Sequence, residues 1–84
     1  MLLNIGHSNS VAKVHVVGIV RNEGAAIRRH RALLKDSLKL IDATCGHKAR
    51  SIIIMNSDHV FLSAVAAETL ERRFRSEGAS ETEM

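Results

Sequence analysis

Several short constellations in this chain hold residue types capable of chemistry. Ser57-Asp58-His59 sets a hydroxyl, a carboxylate and an imidazole side by side, and His7 stands close to Ser8 and Ser10. These are the ingredients of a nucleophilic site. Adjacent residues of an extended chain face opposite ways, so Asp58 and His59 cannot readily orient each other. A turn entering a strand explains the triplet better. Cys45-x-His47 offers two metal ligands, whereas a structural zinc site takes four, usually in paired spacing. No catalysis, metal or cofactor is therefore expected. The densest cationic run is Arg28-Arg29-His30-Arg31. It reads as the solvated first half of a helix, although three Arg near a helix N-terminus oppose its dipole and leave a partner or oligomer contact open.

These groups need elements to position them. Leu2-Leu3-x-Ile5, closed by Gly6, predicts a brief strand, and residues 7–10 have turn composition. Residues 11–20 are dominated by Val and Ile without helical spacing, which predicts one long strand with Gly18 as a bulge or close approach. Asn22 is placed to cap a helix from Ala25 to about Leu38, with Ile27, Leu34 and Leu38 on one face and Arg29 and Asp36 pointing away. Residues 40–44 read as a strand and 45–49 as a connection. Residues 50–55 read as a strand buried on both faces or against a partner. Asn56-Ser57-Asp58 turns the chain into a hairpin strand over residues 59–65. Residues 66–74 form a short helix with Glu68–Arg72 and Glu71–Arg75 in favourable spacing. The order β-β-α-β-β-β-α predicts an α+β fold on a mostly antiparallel sheet.

Composition sets the outer bounds. At 84 residues, 45 % apolar and 25 % charged, the chain reads as one small globular domain. A domain this small buries only about 60 % of its unfolded surface. With Cys45 the sole cysteine, disulfides cannot compensate; a metal or self-association can. The two aromatics, Phe61 and Phe74, fit the core by their apolar spacing. They make a poor stacking platform for single-stranded RNA. No apolar run approaches the roughly 20 residues of a membrane span, no secretory leader is expected, and the absence of a disulfide framework fits the cytoplasm. Lys and Arg number 12 against 9 Asp and Glu, a net charge of +3. Residues 76–84 contain three Glu and no Lys or Arg, so residues 1–75 carry 12 basic and 6 acidic residues, or +6. A basic domain over 1–75 with an acidic, disordered tail over 76–84 is expected.

Longer stretches resemble a known family. Leu40-Ile-Asp-Ala-Thr-Cys-Gly-His-Lys-Ala-Arg50, Ile52-Ile-Ile-Met-Asn-Ser-Asp-His-Val60, Leu62-Ser-Ala-Val65 and Glu68-Thr69 are similar to the RemA family of small bacterial regulators. Asn4-Ile5-Gly6 and Ile19-Val20 fit at consistent spacing, so the resemblance covers about residues 3 to 74. It implies a LytTR-like fold, assembly into a ring-shaped homo-oligomer, and duplex DNA following the ring's basic outer surface to activate extracellular-matrix and biofilm genes. It further implies a DNA-contacting Gly-basic-basic-x-Arg hairpin, here Gly46-His47-Lys48-Ala49-Arg50, and a functional position in the second strand, here His15. This chain has His at 15 and 47 where the family usually has Arg, His7-Ser8-Asn9 after the first glycine, and Ala26 in place of proline. Histidine as a residue type is mostly neutral at pH 7 and lacks the bidentate fork of arginine.

Lys48 and Arg50 are thus the first DNA-binding candidates, followed by His47 and His15, with Arg28 and Arg29 auxiliary. Two cations per subunit grip weakly, and repetition around an assembly multiplies them. The expected role is a cytoplasmic, nucleoid-associated DNA-binding regulator. The alternatives are an architectural DNA-binding protein without promoter preference, an RNA-binding protein, and a purely structural oligomer.

Overall fold

A computed structural model describes residues 1–34 and 37–76. The chain forms β1 (Leu2–Gly6), β2 (Asn9–Ala12), β3 (Val16–Arg21), α1 (Ala25–Leu34), β4 (Leu40–Asp42), β5 (Ser51–Met55), β6 (Val60–Ser63) and α2 (Ala67–Arg75). The α+β class is as expected, but there are two sheets. β1 and β2 pair as an antiparallel hairpin, and the other four strands run in the order β3-β5-β6-β4. β3–β5 and β5–β6 are antiparallel, while β4 joins β6 in parallel at the far edge.

β5 is the central strand, and its unbroken apolar run follows from burial on both faces. Ile53 and Met55 pack with Leu3, Ile5, Val11, Ala43 and Leu70, beneath the β1–β2 hairpin and α2. Ile52 packs with Val60 and Leu62 on the other face, where Ile27 of α1 lies against them. β1 is amphipathic at period two, with Leu3 and Ile5 fully buried and Leu2 and Asn4 exposed. Complete burial of a side chain such as Ile53 stabilises by about 1.5–3 kcal/mol.

Polar side chains tie the layers together. The Ser63 hydroxyl donates to the Ile5 carbonyl at 2.7 Å, and the Ser51 hydroxyl donates to the Val65 carbonyl at 2.7 Å. Ser51 and Ser63 are fully buried neighbours in the β5–β6 ladder. Gly6 has φ +99°, and a Cβ there would meet Val65 Cγ2 at 2.8 Å. Only glycine fits both the backbone and this contact.

The structure corrects several expectations. Residues 11–20 are not one strand: a 3₁₀ turn at Lys13–His15 carries the chain from the hairpin sheet to the larger sheet. A run of β-branched residues does not reveal a change of pairing partner. α1 is described over Ala25–Leu34, and Leu38 lies outside the helix, so it shares no helical face with Ile27. It sits in a turn and is 95 % exposed. Asp36, and all of the acidic tail beyond Ser76, lie outside the described residues. β4 stops at Asp42, whose carboxylate accepts hydrogen bonds from the Thr44 amide (2.9 Å) and hydroxyl (2.6 Å). This side chain–backbone turn draws the chain out of the sheet. Phe61 is half-buried against the core, but Phe74 is at its margin, with Lys13 Nζ 5.8 Å from the ring centre.

Candidate nucleic-acid interface

The Thr44–His47 turn introduces the basic segment. Cys45 (φ 52°) and Gly46 (φ 84°) both take left-handed backbone, and the His47 amide closes the turn on the Thr44 carbonyl at 3.0 Å. Positive φ at both central residues matches a hairpin-type turn. The chain then runs through Lys48, Ala49 and Arg50 into β5. Its backbone is firmly held. The Arg50 amide donates to Ser63 (2.7 Å), the Arg50 carbonyl accepts from the Asn22 amide (3.2 Å), and the Ala49 carbonyl accepts from Asn22 Nδ2 (2.9 Å).

Asn22 therefore does not cap α1. Its side chain bridges Ala49 and Arg31, whose Nη1 donates to Asn22 Oδ1 at 2.9 Å, while the Gly24 carbonyl accepts the first helical bond from Arg28. Arg31, the half-buried member of the basic run, is a brace rather than a free cation. It also acts electrostatically on Asp42. The Thr44 hydroxyl and amide hold the Asp42 carboxyl below its ordinary range, with a smaller contribution from the Arg31 charge.

Lys48 and Arg50 line one open cleft of about 390 Å³ together with Arg21, Asn22, Glu23 and Glu68. Arg21 ends β3 directly opposite Ser51 of β5, which brings it beside Arg50. Sequence reading missed it because its place depends on β3–β5 register. Glu68 was assigned to Arg72. Instead its Oε2 accepts from Arg21 Nη2 at 3.1 Å, while Arg72 donates to Thr69 Oγ1 at 3.4 Å. The expected Glu71–Arg75 pair does form, at 3.5 Å. The cleft thus gathers three cations and two carboxylates, formally +1.

The other candidates lie elsewhere. His47 is exposed at the turn and stacks on His7, with ring centres 4.9 Å apart and planes at 12°. His15 is at the opposite end of the β3–β5 ladder, beside the register pair Val16–Met55. Its Nδ1 is 3.2 Å from Asn56 Nδ2. β5 runs four residue steps from Ser51 to Met55, which separates the two ends by about 13 Å at 3.3 Å per residue. One subunit therefore does not bring His15 to the Lys48–Arg50 cleft. Arg28 and Arg29 are exposed on α1 and do not line the cleft.

His15 shares a second groove with Ile41, Met55, Asn56, Ser57, His59 and Phe61. There Ser57 Oγ lies 2.7 Å from His59 Nδ1, while Asp58 (φ 71°) turns its carboxylate to Lys39 Nζ at 4.0 Å. The carboxylate faces Lys39 and does not orient the imidazole, so the triplet is assembled as a turn. Among the described residues, no group of three or more His, Cys, Asp or Glu is arranged to hold a metal ion. No helix among them is long and apolar enough to cross a membrane.

A family model described as RemA-like, extracellular matrix regulatory protein A-like, matches residues 2–74. A protein of Oleidesulfovibrio alaskensis named "putative regulatory protein" is 49 % identical over 73 residues, covering 87 % of each chain. Proteins of the same name from Pseudothermotoga lettingae and Syntrophobacter fumaroxidans are 45 % and 44 % identical, covering 88 % and 92 % of this chain and 81 % and 82 % of theirs. With a family model matched over residues 2–74 and relatives this similar over most of their length, the chain belongs to the RemA-like family of regulatory proteins.

Proposed function

We propose that this protein is a DNA-binding regulator that holds duplex phosphates through cationic clefts repeated around a homo-oligomeric ring. The carrying observation is the convergence of Lys48 and Arg50 on one open cleft with a braced backbone. Each cation placed on a phosphate releases condensed counterions, so log affinity falls with log salt at about −0.9 per contact. Nothing in the cleft resembles a base-reading helix, and the reading is backbone contact with shape readout. Its genes are those of the extracellular matrix, following the family's description, and its setting is the cytoplasmic nucleoid. The fold is taken as LytTR-like.

Val14 (79 %) and Val17 (67 %) leave apolar surface exposed where the 3₁₀ turn enters β3, an edge strand. The larger sheet also has two edges, β3 and β4. Contact between unlike edges of successive copies is head-to-tail, the kind of interface that closes into rings. A Lys48→Ala/Arg50→Ala variant tests the reading. Loss of duplex retardation with unchanged oligomer mass is expected; full retardation would reject the cleft as the contact.

A further inference from the structure

We infer that Arg21 is a third phosphate-gripping cation of the cleft, and that Glu68 holds it back in the free protein. This rests on the DNA-binding reading above and adds a residue and a restraint to it. Arg21 comes from the end of β3 and Glu68 from the first turn of α2, so the pair spans the cleft between two elements that Lys48 and Arg50 also border. Arg21 Nη2 and Glu68 Oε2 are 3.1 Å apart, and Glu23 Oε1 is 3.9 Å from Arg21 Nη1. The guanidinium therefore has carboxylates at both ends.

Both side chains of the main pair are more than 60 % exposed. An ion pair in that setting is weak and easily exchanged. The two non-bridging oxygens of a phosphodiester offer the guanidinium fork the same kind of paired acceptors as a carboxylate and can take its place. Exchange leaves Glu68 facing the incoming anion, so the carboxylate opposes binding twice. It occupies Arg21 beforehand, and it repels phosphate afterwards.

A two-by-two cycle separates these effects, using a mixed-sequence duplex with full-length Arg21→Ala, Glu68→Gln and the double variant. Glu68→Gln should raise affinity about fivefold, the upper scale of an exposed pair, and Arg21→Ala should lower it by a similar factor. In the Arg21→Ala background the gain from Glu68→Gln should shrink below about twofold, because only the repulsion remains to be removed. Equal gains in both backgrounds would overturn the restraint. Glu68→Asp supplies a charge-neutral check: the shortened carboxylate should release Arg21 and raise affinity about twofold, whereas no change would count against it. If the natural chain is retarded and Lys48→Ala/Arg50→Ala is not, yet the cycle is additive, the restraint alone falls. If the natural chain ignores duplex DNA at low salt, the DNA reading falls and the restraint with it.

Discussion

The two ends of β5 differ in charge and in how they are held. At the Ser51 end the chain enters through Lys48–Arg50, stitched to β6 by Arg50–Ser63, to the β3–α1 connection by Asn22, and to the α2 entry by Ser51–Val65. At the Met55 end, Asn56 bonds to His15 through backbone and side chain, and the groove there is lined largely by imidazoles and apolar groups. One end offers permanent cations on a fixed backbone, and the other offers histidines at an apolar margin. The contrast teaches that family-matched positions need not share a site within one subunit. The cleft suits a phosphate grip, while His15 lies beyond the far end of β5, about 13 Å along the strand. His15 can act with the cleft only along an extended ligand or through a neighbouring copy.

The strongest way to break the comparison is to damage what both ends rest on. Gly6→Ala forces an L side chain into positive φ and into Val65. A loss of about 2–4 kcal/mol is expected in denaturant unfolding, and both ends should fail together. Next in size, Lys48→Ala/Arg50→Ala should weaken duplex binding at least tenfold at moderate salt and flatten its salt dependence, with thermal stability unchanged. If the cleft were merely a solvated surface, neither binding property would move.

Much of this was legible beforehand. The apolar run of Ile52–Met55 announced a strand buried on both faces or against a partner, and Asn56-Ser57-Asp58 announced the hairpin that the β5–β6 pairing displays. Period-two alternation and turn chemistry are local, so sequence exposes them. The break at Lys13–His15 and the place of Leu38 outside α1 were not legible, because they depend on which strand or face each segment finds. The site divides the same way. Lys48 and Arg50 are two residues apart in the chain, but Arg21 and Glu68 reach the cleft only through β3–β5 register and the docking of α2. Asn22 looked like a cap because it precedes the helix, yet a long-range carbonyl at Ala49 claims its amide.

Histidine substitution sharpens the contrast by asking which end touches the duplex. His47→Ala should weaken duplex binding if the turn beside the cleft is in contact, and His15→Ala if the far end is. Unchanged binding in both variants would remove both imidazoles from the interface. The smallest effect concerns stability. Asp42 has its folded carboxyl value lowered, so its contribution is present above the unfolded value near pH 3.9 and is lost as pH falls through the lower folded one. Thr44→Val removes the hydroxyl donor. The difference in stability between variant and natural chain should be constant near neutrality and shrink as Asp42 protonates. A difference that persists unchanged at pH 2 would mean that Thr44 acts through packing alone.

The most direct test of assembled cationic clefts is solution mass by light scattering, with and without a duplex, at low ionic strength. A defined multiple of the 9.2 kDa chain that gains mass with the duplex and loses it on adding salt is the predicted result. A 9.2 kDa particle whose mass is the same with the duplex present would contradict the account.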